Sequence, residues 1–233
     1  MKVFPSLLIL FFAFSTSAKT VIPKTFIPAN SILINEATGD LNNDGLIDLA
    51  FIVEETSQSN DRQFDEFGNE IKLNPRKVIV LISKEGGYED AVSSNYTIPG
   101  FNYYNNDTID CMSPSVKIKK GLLFITLYHY KSSGTWNADN SIFTFKYEKQ
   151  NNIKLIGYDF YNFSRATKIR DSGISVNYVS KKIKQYSALS ANNETKIKST
   201  WSELNKDVHL NISDIEFQCD FDNKTKSCSW NIL

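Results

Sequence analysis

The apolar residues of this chain fall in short runs, rich in Ile, Val, Phe and Tyr and separated by Asn, Asp, Gly and Ser. Side chains that branch at Cβ or carry rings fit a pleated, half-buried surface, whereas an amphipathic helix needs an apolar stripe repeating about every 3.6 residues over several turns. No such stripe is present, which restricts the chain to an all-β, mainly antiparallel fold with few short helices. Strands are predicted at 31–34, 49–53, 77–82, 122–128, 141–147, 154–160 and 173–178, with a hairpin at the C-terminus. The best helical stretch is 202–206, where Ser202 would cap a turn or two. From Glu54 to Asn74 the sequence turns polar, and so long a connection between two apolar strands is either functional or without regular structure. A second polar and aromatic segment occupies 101–107. No break in composition divides residues 19–233, which are expected to form a single β-rich domain.

Residues 1–18 are expected to be a secretory signal peptide. Lys2 gives a short positive start, 7–14 is an apolar run, and Thr16-Ser17-Ala18 offers small residues for cleavage. The run is far shorter than the roughly 20 residues that span a bilayer, so no membrane insertion is expected after signal cleavage. The protein is therefore read as exported, periplasmic or secreted. Removing Lys2 from 26 basic and 26 acidic side chains leaves 25 against 26. That balance gives no overall electrostatic footprint for nucleic acid or an anionic membrane. The lysines grouped at 181–184 and 196–198 read as a solvated strand edge or loop.

Export permits disulfides, and the chain holds three cysteines, Cys111, Cys219 and Cys228. Cys219 and Cys228 flank a polar, turn-forming stretch between 215–217 and 230–232, a hairpin pattern whose neck a disulfide would cross. Closing so short a loop stabilises by about 2 to 3 kcal/mol in the chain-entropy model. Other pairings remain open, since three cysteines allow three single bridges. Cys111, left over here, reads as a small buried apolar residue.

One segment carries metal chemistry. Asp40-Leu41-Asn42-Asn43-Asp44-Gly45-Leu46-Ile47-Asp48 places side-chain oxygens at the first, third, fifth and ninth positions of a tight loop. Calcium wants about six to eight hard oxygens, and alternate residues of a turn can aim theirs at one centre. Asp40, Asn42, Asp44 and Asp48 would be those ligands, with the Leu46 carbonyl as a fifth and Gly45 allowing the sharp turn. An EF-hand would need a Glu at the twelfth position and flanking helices, but Phe51 stands there within an apolar strand. Magnesium keeps most of its waters, and zinc would call for His or Cys, of which none is near.

The stretch from Gly39 through Ala50, followed by 78–82 and Gly86-Gly87-Tyr88, resembles an FG-GAP or VCBS-type repeat over residues 32–90. The resemblance implies a calcium-binding acidic loop between strands of a propeller-like blade, closed by the Gly-Gly-aromatic turn. A single unit is expected, because Asp220-Phe221-Asp222-Asn223 is only a partial echo of a second loop. The calcium is expected to be structural: a ligand set from one contiguous loop pins two strands and leaves little coordination open for a substrate.

Catalytic signals are sparse. His129 lies near Ser132 and Ser133, yet there is no Gly-x-Ser-x-Gly elbow, and His209 and Cys111 have no catalytic context. Tyr103, Tyr104 and Trp136 sit in polar, loop-like surroundings and are candidates for a partner surface. Asn-x-Ser/Thr sequons occur at Asn95, Asn106, Asn162, Asn193, Asn211 and Asn223. The sequence thus predicts an exported, calcium-stabilised, non-catalytic protein that recognises a protein or envelope glycan, such as a periplasmic inhibitor or immunity protein. The alternative is a hydrolase acting on cell-envelope polymers.

Overall fold

The β-branched and aromatic runs become antiparallel strands in the computed structural model, which describes residues 22–56, 63–64, 70–71, 76–98, 114–130, 136–149, 152–167, 169–188, 197–215, 217–220 and 227–232. In chain order the first half contains β1 (Ser31–Gly39), β2 (Asp48–Glu55), the short pair β3 (Gln63–Phe64) and β4 (Glu70–Ile71), β5 (Arg76–Lys84) and β6 (Gly87–Ile98). Strands β1, β2, β5 and β6 are hydrogen-bonded in that order as a four-stranded sheet, and β3 pairs with β4 inside the long polar connection.

The second half is a seven-stranded meander in which each strand pairs with its sequence neighbour. It runs through β7 (Ser115–Lys119), β8 (Leu122–Tyr130), β9 (Asn137–Glu148), β10 (Asn152–Ser164), β11 (Arg170–Asn177), β12 (Lys182–Ala188) and β13 (Ile197–Glu203). A terminal hairpin of β14 (Phe217–Asp220) and β15 (Ser227–Trp230) follows. The turn from β7 to β8 needs only Lys120 and Gly121, at φ 53° and 69°. Two consecutive positive φ values give a turn whose twist matches that of the strands it joins. The fold is all-β and mainly antiparallel, with two 3-10 turns, Lys24–Phe26 and Ile212–Asp214, as its only helical elements among the described residues.

Side-chain alternation decides how the sheets meet. On β2 and β5, Ala50, Ile52, Val78, Val80 and Ile82 face one way, and they share a buried cluster with Val116, Leu123, Ile125, Phe143, Phe145 and Leu155 of the larger sheet. The two sheets therefore pack face to face around a common core. The opposite residues of β2 and β5, Leu49, Phe51, Val53, Ile79 and Leu81, are buried as well, against Ile22, Phe26, Ile27 and Tyr88. Covering both faces explains why β2 and β5 read as unbroken apolar runs and not as alternating ones.

Among the described residues the larger sheet turns one face to the shared core, and β7, β9 and the first part of β10 alternate accordingly. The β10–β11 ladder reaches only to Gly157, which leaves the first part of β10 open on that side, and Leu210 and Asn211 take over there: the Leu155 amide donates to the Leu210 carbonyl at 2.8 Å. Ile212, Ile215 and Ile232 then close the end of the core, and the Tyr178 hydroxyl donates to the Ile232 carbonyl.

The stretch expected to be helical, 202–206, is not. β13 runs on to Glu203 with Ser202 opposite Ile183, and the Leu204 amide donates to the Lys181 carbonyl. Pairing with a formed strand outweighs the weak local preference for a short, isolated turn of helix. No helix among the described residues is long and apolar enough to cross a membrane.

Candidate metal-binding loop and neighbouring polar groups

The acidic segment is the connection between β1 and β2, and Asp48 is the first residue of β2, opposite Gly39. Leu41, fully buried in the shared core, anchors the loop from inside. Asn43 and Gly45 take positive φ of 61° and 87°, which reverse the chain within a few residues. The loop also leans on the larger sheet. A Cβ on Gly121 would stand 2.9 Å from Asn43 Oδ1, and one on Gly39 would stand 2.7 Å from Ile118 Cγ2. Nearby, Asn35 of β1 accepts the Val116 amide of β7 at 2.8 Å. The loop thus sits at the junction of the two sheets.

Its side-chain oxygens organise the backbone. Asp40 accepts the amides of Asp44 (3.1 Å) and Gly45 (3.0 Å), Asn42 Oδ1 accepts the Asp44 amide (3.1 Å), and Asp44 accepts the Leu46 amide (2.8 Å). Asn42 also donates from Nδ2 to Asp44. Such side-chain turns hold Asx-rich loops in shape without an ion. Asp48 is inaccessible to solvent, and its two oxygens accept the Leu41 amide at 2.7 Å and the Ser83 amide of β5 at 2.8 Å. Burial pushes its carboxyl above the usual value, while these hydrogen bonds pull the other way.

The donor types fit calcium. Each carboxylate or amide oxygen holds two lone pairs and spends one on an amide. Among the described residues, however, no three of His, Cys, Asp and Glu stand together as a metal-holding group. Asp40, Asn42 and Asp44 converge on one short run of amides, whereas Asp48 is directed at Leu41 and Ser83.

Of the remaining candidates, Trp136 is described: it is 70% exposed just before β9, with the Arg165 guanidinium 5.8 Å from its ring centre. Tyr103, Tyr104 and Cys111 lie outside the described residues, as do Ser132 and Ser133. The backbone register sets Cys219 directly opposite Cys228 across the terminal hairpin. Asn162, in the middle of the larger sheet, donates its side-chain amide to Ser172, and Asn211 caps the second 3-10 turn. The lysines of 181–184 are split between the β11–β12 turn and β12, next to edge strand β13.

One pairing could not be read from the sequence. His129 on β8 is the cross-strand neighbour of Asp139 on β9, with Nδ1 2.5 Å from the carboxylate. The residues are ten apart with no motif linking them, so only the β8–β9 register reveals the pair. Nearby Ser141 hydrogen-bonds the buried Tyr158 hydroxyl at 3.1 Å. Burial drives that phenol up to about 12, so it stays neutral near pH 7 and is no base there.

No family model matches this chain, and neither a curated protein nor a solved structure shows a match to it.

Proposed function

We propose that this chain is an exported binding protein, non-catalytic and stabilised by calcium, that recognises a protein or glycan of the cell envelope. The observation that carries this reading is the pair of exposed tryptophans on and beside the larger sheet. Trp201, 65% exposed, is held in solvent on an ordered strand, and Trp136 stands exposed beside the same sheet. Large aromatic rings on a rigid support anchor partners at little entropic cost. A periplasmic inhibitor or immunity protein is the narrower form of this proposal. Affinity capture from the native envelope extract with the mature chain as bait is expected to enrich one partner.

A hydrolase of envelope polymers is the second reading, and the His129–Asp139 pair is the observation that favours it. Turnover of a wall polymer that His129→Ala abolishes, with no partner enriched, would establish the hydrolase in place of the binding protein.

Calcium is proposed at the β1–β2 loop, held by Asp40, Asn42, Asp44, Asp48 and the Leu46 carbonyl. When bound, the ion would supply charge neutralisation and nothing to a reaction. The four-stranded meander with its acidic first turn supports the likeness to a single FG-GAP or VCBS unit. In calorimetric titration, Asp44→Ala is expected to weaken calcium binding at least tenfold, roughly 1.4 kcal/mol. It should also remove the fall in Tm that a chelator causes in the parent protein. Unchanged affinity in that variant would dismiss the site.

A Cys219–Cys228 disulfide belongs to the same proposal, supported by their opposed register. Thiol titration of the unfolded, unreduced mature protein is expected to count one free thiol, and three free thiols would refute the bridge.

A further inference from the structure

Alternation along the larger sheet turns one set of side chains away from the core, and its composition differs from that of the chain. Around β11 the outward groups are Tyr161, Arg170, Tyr186, Lys184, Trp201 and Lys182, as the cross-strand register from β10 to β13 places them. Farther along the same face, Lys117 and Lys119 of β7, Lys146 of β9 and Lys154 of β10 alternate with buried Val116, Ile118, Phe145 and Leu155. Against these cations stand Glu148, Asp159 and Glu203. Since the whole chain carries 26 basic and 26 acidic residues, the positive excess belongs to this face and not to the composition.

The rings and cations are built into one another. Arg170 lies 3.9 Å over the Tyr161 ring and hydrogen-bonds the Tyr186 hydroxyl, and Asn140 Nδ2 donates to the Tyr161 hydroxyl at 2.9 Å. Tyr186 is laid across Gly173. A side chain there would meet both the Tyr186 ring and the Phe160 carbonyl, the latter at 2.6 Å. Lys184 stands 5.6 Å from the centre of the exposed Trp201 ring. Strands are spaced about 4.8 Å apart, so Tyr161 and Tyr186, two strands apart, are separated by roughly 10 Å, with Trp201 one strand beyond. One extended polymer can cross all three.

We propose that this outward face binds an anionic polysaccharide, carboxylated or sulfated, its sugar rings stacking on Tyr186 and Trp201 and its acid groups meeting Arg170 and Lys184. The proposal rests on the exported binding reading above. Charge complementarity requires an anion. An acidic peptide laid across the face fits less well, because β10, β11 and β12 each have a hydrogen-bonded strand on both sides and leave an incoming main chain there unsatisfied. A sugar needs only side-chain donors and flat apolar rings. Single-stranded nucleic acid would also stack on such rings, but an exported protein does not ordinarily meet it.

The test uses the full mature chain and immobilised polygalacturonate, heparin, dextran, poly-glutamate and oligo-thymidylate. Binding to polygalacturonate or heparin is expected, weakening as salt rises, with none to dextran. Trp201→Ala and Lys184→Glu, both at surface positions, should each weaken it roughly tenfold without moving Tm. Equal or tighter binding of poly-glutamate or oligo-thymidylate, unchanged binding in both variants, or no binding to either acidic polysaccharide would each overturn the proposal. Capture of a partner at full yield by Trp201→Ala would overturn it too, while leaving the broader binding function standing.

Discussion

Phe143→Ala is expected to destabilise the protein by about 3 to 5 kcal/mol, the range for removing a fully buried Phe from a packed core. Phe143 has no solvent exposure and lies where both sheets contribute side chains. Its ring centre is 5.1 Å from that of Tyr158 and 6.4 Å from that of Phe145. Truncation leaves a void between the sheets that neither backbone can close, since each strand is tied into its own ladder. Urea denaturation followed by tryptophan fluorescence measures the loss from the shift in midpoint. A change below about 1 kcal/mol would mean that the sheets do not share this core. Phe143→Leu, which keeps most of the volume, should lose much less.

The second large effect belongs to Asp48. Replacing it with Ala removes the acceptor for the Leu41 and Ser83 amides, two donors that the chain brings from 7 residues before it and 35 residues after it. Each buried amide left without a partner costs about 1 to 3 kcal/mol, and Ser83 is only partly buried, so the expected loss is about 2 to 4 kcal/mol. Denaturant titration in the presence of chelator isolates this structural part from any metal effect. A loss under 0.5 kcal/mol, roughly the scale of an ordinary surface change, would contradict the clamp.

Asp48 also sets a pH dependence. Its carboxyl is raised above 3.8 in the folded protein, chiefly by burial, so the folded state holds the proton more tightly than the unfolded chain does. The stability this group contributes is therefore full below about pH 3.8 and is lost as pH rises through the folded value. A bound cation favours the carboxylate and acts in the opposite sense. The gain in Tm from calcium over chelator is accordingly expected to widen as pH rises above about 4, and to widen less in Asp48→Asn.

The sequence carried the strands that enter the core. β2, β5, β8, β9 and β10 announce themselves through apolar runs or alternation, because burial of one face or two writes a period directly into the chain. Strands β12 and β13 were hidden, since lysine, glutamine, serine and threonine interrupt their few apolar residues and they lie at the end of the meander, where little is buried. Their pairing comes from the preceding strand's unpaired edge, a demand that no local pattern records. The same blindness turned 202–206 into a candidate helix.

The acidic loop was legible for a like reason: its oxygens serve neighbouring amides within the loop, so spacing alone displays the chemistry. What spacing could not show is that Asp48 is tied to Ser83 on β5, or that Asn43 rests against Gly121 of the other sheet. Nor could it gather Tyr161, Arg170, Tyr186 and Trp201, drawn from four strands, onto one face. Composition and local spacing determined that this chain is β-rich and where its acidic loop turns. Register and sheet packing alone decided which residues meet, because contacts between distant strands depend on hydrogen-bond ladders that close only in the folded chain.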